Sequence, residues 1–467
     1  MISKNRVLLA SAGIACALAA TPASAAKPGK ADAARVEELE RKLERSLQMI
    51  EALSAKVQQL EQAKTAAVAP PPVVIEQQKR VEALESQVAQ LGSGLSNRSN
   101  DESLPVHGFA DVGLVHGREN NAVYGKGTKG FTVGNLDLYL TPKFGDRVRS
   151  LIELVFEVDR DGSVATDLER VQMGYLFSDA ATAWVGRFHT PYGSWNTAFH
   201  HGAQIQTSIL RPRFLEFEDR GGIVPAHTTG AWLTGAFSGD STRLGYDLYF
   251  GNAPTIGVDL SAPSGAVAVT NPTAFSPTVA LGGYAGTGVL DMRQGGRTSH
   301  AYSSGFTAWV EPRVLDGLRL GLHGLRAKIE DDSVDMNQTQ LRMLGGYLTY
   351  QDNNWEVLGE YYGFRNQDIS GSTGTHSSWA GYMQAGYNIG LLTPFVRTER
   401  AILDQTDNYF GVQSSGRSYS RLAAGIRYDL DPKAALKFEL LRTQQGDLGP
   451  DLNNDYNEAR IQYSVRF

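Results

Sequence analysis

From residue 103 to residue 467 the chain repeats one pattern: apolar and polar side chains alternate, and no helical stripe of useful length interrupts them. Successive side chains of a strand point to opposite faces, so period two marks a sheet with one apolar and one polar surface. Ile461, Tyr463, Val465 and Phe467 share one face of the last segment; Arg460, Gln462, Ser464 and Arg466 share the other. Val171, Met173, Tyr175 and Phe177 likewise oppose Arg170, Gln172 and Gly174, and Leu422, Ala424, Ile426 and Tyr428 oppose Arg421, Ala423, Gly425 and Arg427.

Such strands suit a half-buried soluble sheet or a transmembrane barrel with lipid outside and water inside. The connections separate the two. Sixteen segments run from 106–116 to 455–467, and their connections alternate short and long. Gly145-Asp146, Gly239-Asp240, Asp352-Asn353 and Ile389-Gly390 are tight turns; 117–130, 190–227, 252–296 and 402–417 are long loops. Short turns on one rim and long loops on the other mark a transmembrane barrel. The expected fold is therefore all-β: a 16-stranded antiparallel barrel over 103–467, with an α-helical coiled coil before it.

Composition enters as a test of that reading. A net charge of −6 and a mean hydropathy of −0.27 resemble a soluble protein. They exclude a helical membrane bundle, which needs repeated runs of about 20 apolar residues. They do not exclude a barrel, whose backbone closes on itself and whose strands are apolar on one face only. The 50 glycines and 19 tyrosines fit turn-rich β architecture. The acidic balance excludes a strongly basic nucleic-acid binder, so no nucleic-acid partner is expected.

Residues 1–26 carry Lys4 and Arg6, an apolar core from Val7 to Ala20, and Ala23-Ser24-Ala25, the pattern of a secretory signal peptide. The one cysteine, Cys16, lies inside it, so the mature chain has no disulfide or thiolate chemistry. Heptads at Val36, Leu39, Leu43, Ile50, Leu53, Val57 and Leu60 predict a coiled coil over 33–65. A Pro/Ala linker over 66–73, with Pro70-Pro71-Pro72, breaks it, and a second heptad segment follows over 74–95. Coiled coils need partner helices, which points to an oligomer.

Three stretches carry a family resemblance. The C-terminal Ile461 to Phe467 looks like the strand that porins present to the barrel assembly machinery, and ends in their terminal Phe. Val185-Gly186-Arg187-Phe188-His189-Thr190-Pro191-Tyr192-Gly193 is similar to the Gly-x-Phe-x-x-Pro-Phe-Gly stretch of phosphate-selective porins O and P. Phe214 to Arg220 resembles their Phe-x-Glu-Arg stretch, departing by extra acids at Glu216, Glu218 and Asp219. The N-terminal coil is similar to that of some sugar- and dicarboxylate-type porins, where it lies in the periplasm. The resemblance implies a Gram-negative outer-membrane homotrimer of 16-stranded barrels, each narrowed by its third long loop.

That loop is 190–227. Arg187, Arg211, Arg213, Glu216, Glu218, Asp219 and Arg220 are the expected constriction and solute-binding residues, with Arg149, Arg170, Arg319, Arg342 and Arg427 lining the lumen. Arg397, Asp137, Glu153, Glu157, Glu356, Glu360 and Glu439 also fall on polar strand faces. Opposed cations and carboxylates favour polar solutes over apolar ones. Trp195, Phe199, Phe214 and Phe217 are read either as a stacking track for sugars or as pins fixing the loop to the wall. No catalytic set or metal-ligand spacing emerges: Asp159 to Gly162 fails the calcium-loop spacing, and His200-His201 is an isolated pair. Neither an enzyme nor a cofactor is expected. The expected function is passive diffusion of small hydrophilic solutes, with anions as candidates. The alternative is an outer-membrane anchor whose coil tethers a periplasmic partner or peptidoglycan.

Overall fold

The computed structural model describes residues 106–117, 129–142, 144–158, 164–199, 203–218, 222–257, 288–292, 301–331, 337–413, 415–445 and 455–467. The signal peptide, both heptad segments and their linker lie outside the described residues.

The strands, in chain order, are β1 (Val106–Gly117), β2 (Lys129–Leu140), β3 (Val148–Val158), β4 (Val164–Ser178), β5 (Ala181–His189), β6 (His227–Ser238) and β7 (Thr242–Asn252). Two three-residue strands follow, β8 (Thr255–Gly257) and β9 (Val289–Asp291). The rest are β10 (Tyr302–Pro312), β11 (Leu318–Asp331), β12 (Gln338–Gln351), β13 (Trp355–Asp368), β14 (Thr375–Tyr387), β15 (Leu392–Ile402), β16 (Tyr419–Asp431), β17 (Ala434–Gln445) and β18 (Asp455–Arg466). Each strand except β8 and β9 pairs antiparallel with its chain neighbour, β7 pairs with β10, and β1 pairs with both β2 and β18. The result is a closed 16-stranded antiparallel barrel, as the alternation predicts. Closure leaves none of the sixteen wall strands as an edge. At the seam, Gly108 and Phe467 exchange two backbone hydrogen bonds of 3.1 and 3.0 Å.

The start of β4 departs from expectation. The alternation from Arg170 to Phe177 predicts a strand over 168–177, yet β4 begins at Val164. Glu153 pairs with Arg170 and Leu154 with Leu168, so Glu169 is an extra residue in the ladder. This bulge breaks the period locally, which is why the sequence pattern ended there.

The outer surface is apolar. Leu322 and Leu344, on β11 and β12, are each 63% exposed, and Phe438, Leu440, Ile461 and Tyr463 are exposed on β17 and β18. The inward residues of β13, β15 and β17 include the buried charges Glu360, Arg397, Glu399, Lys437 and Glu439. Aromatic rings lie over glycines inside: a Cβ on Gly174 would strike Trp184, and one on Gly321 would strike Tyr347. That packing accounts for part of the joint glycine and aromatic enrichment. No helix among the described residues is long and apolar enough to cross a membrane.

The barrel also holds an apolar cluster. Leu325, Ile329, Leu341, Met343 and Phe364 point inward from β11 to β13 and pack with Phe214, Ile223, Tyr409 and Phe410 of two loops. Those loops follow β5 and β15. Loop-covered apolar positions are hydrophobic for a reason that alternation alone does not express: their partner is distant in sequence.

Candidate functional site

The loop after β5 enters the barrel at a tight bend. Gly193 has φ +60°, and a Cβ there would strike the Glu360 carboxylate and the Tyr362 hydroxyl. Only glycine lets the chain pass that close to the wall. Asn196 holds the two ends of the loop together. Its amide donates to Thr190 O at 3.0 Å and to Ala226 O at 2.9 Å, while Thr190 N donates to Ala226 O at 2.8 Å. A single helical turn, Trp195–Ala198, follows the bend.

From there the inward side chains of β13 to β17 hold the loop by its backbone. Carboxylates receive its N–H groups: Trp195 N donates to Glu360 at 2.6 Å, Arg213 N to Glu399 at 2.8 Å, and Ile209 N and Leu210 N both donate to Glu439. Cations donate to its carbonyls. Arg397 reaches Leu210 O at 2.8 Å and Arg211 O at 3.3 Å, Arg427 reaches Gln206 O at 3.0 Å, and Lys437 reaches Ser208 O at 3.2 Å. Arg427 also donates to Gln204 O and Lys437 to Ala203 O. Thr207 donates its hydroxyl proton to Glu356 at 2.8 Å. Irregular backbone inside a barrel must satisfy its polar groups, and wall charges of both signs do so here. Hydrogen bonds to ionised groups are about twice as strong as neutral ones.

The wall charges also pair with each other. Arg397 lies 2.9 Å from Glu399 and 3.8 Å from Glu439, and all three side chains are 0% exposed.

The other face of the loop borders a cavity of about 250 Å³. Phe199, Gln206, Arg211, Glu216 and Phe217 line it from the loop. Asp111, Thr132, Asn135, Arg460 and Gln462 line it from β1, β2 and β18. The Arg211 guanidinium stacks over the Phe217 ring at 4.0 Å and donates to Asn196 at 3.3 Å, which fixes its direction. Across the cavity Asp111 accepts from Asn135 N at 3.3 Å and from Gln462 at 3.0 Å, and Arg460 pairs with Glu458 at 3.1 Å. The lining thus carries both signs of charge on each side.

The expected residues divide accordingly. Arg211 and Glu216 reach the cavity. Arg213 is buried over Tyr419 at 4.7 Å. Glu218 is buried and accepts from the backbone of His227 at 2.9 Å and from its ring at 3.0 Å. Burial raises the Glu218 carboxyl, but the His227 charge and hydrogen bonds outweigh it and leave the group below the usual carboxylate range. Arg187 lies 3.5 Å from Glu169, and Arg170 is ion-paired with Glu153. Arg149 donates to the carbonyls of Gly145 and Val148 at the short-turn rim. Arg319 pairs with Glu311 at 2.6 Å and stacks on Trp309. Asp219 and Arg220 lie outside the described residues.

Two expectations need correcting. Arg427 faces inward, but it lies under the loop as one of its fastenings rather than on an open lumen wall. Arg342 does not face the lumen at all: it is exposed and shares its face of β12 with Leu344, while Leu341 and Met343 are the buried inward neighbours. A residue count that assumes every arginine in a strand is inward fails near a strand end, where the outer face also becomes polar.

Of the aromatics, Trp195 and Phe214 are buried against wall tyrosines; the Trp195 and Tyr382 rings are 5.6 Å apart, and those of Phe214 and Tyr362 are 5.2 Å apart. They act as pins, whereas Phe199 and Phe217 border the cavity. Asp111, Asn135 and Asn196 were not singled out from the sequence. For Asp111 and Asn135 the inward phase of their strands was the available signal. Asn196, in a loop, gave none.

No protein-family model matches the chain, and no curated protein matches it. Among solved structures, the anion-selective porin from Comamonas acidovorans is 12% identical, with a TM-score of 0.49, over 78% of this chain and 99% of its own. The outer membrane channel DcaP of Acinetobacter baumannii is 11% identical, with a TM-score of 0.49, over 80% and 99%. OmpF of Salmonella typhi, in complex with daunomycin, is 13% identical, with a TM-score of 0.46, over 79% and 99%. These neighbours are porins and channels.

Proposed function

We propose that the chain is an outer-membrane porin through which small hydrophilic solutes diffuse passively. The observation that carries this reading is the cavity between the third long loop and β1, β2 and β18, lined by charged and amide groups inside a barrel with an apolar exterior. A polar path through an apolar-jacketed barrel conducts ions and excludes apolar solutes. Arg211 and Glu216 are the loop's charges at this cavity, and Asp111 and Arg460 are the wall's. With two charges of each sign, the lining supports weak ion selectivity rather than a strong preference for anions. Localisation in a Gram-negative outer membrane and assembly as a homotrimer belong to the same reading, as does a periplasmic coil over 33–95.

The test is reconstitution of the mature protein in planar bilayers under a salt gradient. Stepwise, ion-dependent conductance with a small reversal potential is expected. Absence of any conductance would overturn the channel reading in favour of an anchor.

A further inference from the structure

We infer that the outer face of β11, β12 and β13 binds the phosphate groups of membrane lipid headgroups through Arg326, Arg342 and Arg365. The inference rests on the outer-membrane reading only for the identity of the leaflet concerned.

The three arginines form one row. Arg326 of β11 stands directly opposite Arg342 of β12. Met343 of β12 faces Phe364 of β13, which places Arg365 beside Arg342 one step further along the same register. All three side chains are exposed, on the faces that carry Leu322, Leu344 and Tyr361. Ser304 of β10 is in register with Arg326, and Ser377 of β14 with Arg365; both are exposed. The row therefore runs Ser, Arg, Arg, Arg, Ser across five adjacent strands. Strands stand about 4.8 Å apart, so the three arginines span about 10 Å.

Its height on the barrel matters. Each arginine lies in the half of its strand away from the short turns, and the outward residues beyond the row, Lys328, Glu330, Gln340 and Gln367, are polar. Leu322, Leu344 and Tyr361, at 63%, 63% and 52% exposure, mark the apolar belt next to it. The row thus sits where hydrocarbon gives way to headgroups.

Like charges directly opposite one another on a sheet repel. Among the described residues no carboxylate relieves this: none of the three arginines forms an ion pair, while the neighbouring Lys328 is matched with Glu330 at 3.4 Å. An external anion supplies the missing charge. Guanidinium groups pair bidentately with phosphate, and the flanking hydroxyls add donors. A lipid delivers that phosphate at the right height, with its acyl chains along the belt below. Free phosphate in solution shares the headgroup chemistry but gains nothing from the belt.

The mature protein in nonionic detergent, doped with either phosphatidic acid or phosphatidylcholine, tests this by native mass spectrometry of lipid-bound species. Binding of phosphatidic acid at roughly tenfold lower concentration than phosphatidylcholine is expected. The R326Q/R342Q/R365Q variant should lose that preference, R342Q alone should lose part of it, and R400Q, on the outer face of β15, should keep it. No preference in the wild type, or an unchanged preference in the triple variant, overturns the inference. So does full displacement by millimolar inorganic phosphate, which would mark a free-anion site. Conductance measured in parallel separates the two claims. A conducting protein without lipid preference sinks this inference alone, and a lipid-selective protein without conductance sinks only the porin reading.

Discussion

The barrel has two inner walls that use the same residue types for different ends. On β13 to β17, Glu360, Arg397, Glu399, Arg427, Lys437 and Glu439 are buried beneath the loop and bound to its backbone. On β1, β2 and β18, Asp111 and Arg460 border the cavity, and the Arg460 side chain keeps 28% of its surface exposed. A charge under the loop is a structural fastening whose loss leaves partners desolvated. A charge across from the loop is an electrostatic control that water can replace. Polar inward position therefore does not by itself mean a role in selectivity.

Substitutions on each wall sharpen or break that contrast. The largest effect is expected for Arg397→Ala, which strips two loop carbonyls of their donor and leaves Glu399 and Glu439 without their cation. Removing one partner of a buried pair costs about 3–5 kcal/mol. A lower unfolding temperature in detergent and a larger, noisier single-channel conductance should follow. If both remain at wild-type values, the fastening role is wrong.

Glu439→Gln keeps the shape and removes the charge that Ile209 N and Leu210 N approach. A loss of about 1–3 kcal/mol is expected, again with raised conductance. Asp111→Asn belongs to the open wall. It should alter stability by no more than about 1 kcal/mol, yet move the reversal potential toward anions, since one carboxylate leaves the lining. Arg460→Gln should move it toward cations. Equal reversal potentials for the pair would show that this wall does not govern selectivity. The smallest effect is expected for Phe199→Leu, which keeps the cavity border apolar. Conductance should change little, and discrimination among ring-shaped sugars in competition assays would be the sensitive readout.

Much of this architecture was legible in the chain. The sixteen wall strands, the sorting of short and long connections and the closing strand at Phe467 all follow from period two and turn chemistry. The misses are instructive. Alternation puts Arg427 on the inner face, but nothing local reveals that Gln204 and Gln206 cover it from more than two hundred residues away. Glu169 escaped notice because the bulge shifts the phase in which it would have been read. Arg342 shares the outer face of β12 with Leu344, and the alternation of that strand with Leu341 and Met343 inward was the signal for it.

The sequence by itself determined the barrel. Alternation is a local property, and a chain that is apolar on one face of every strand has one way to satisfy its backbone in lipid. It also determined that a loop of 190–227 needed a place of its own. Only the tertiary structure decided which wall that loop would lie against. That choice depends on contacts between residues far apart in the chain, such as Ile209 with Glu439 and Gly193 with Glu360. It divides one set of inward charges into those that hold the loop and those that face the cavity, because water reaches only the wall the loop leaves open.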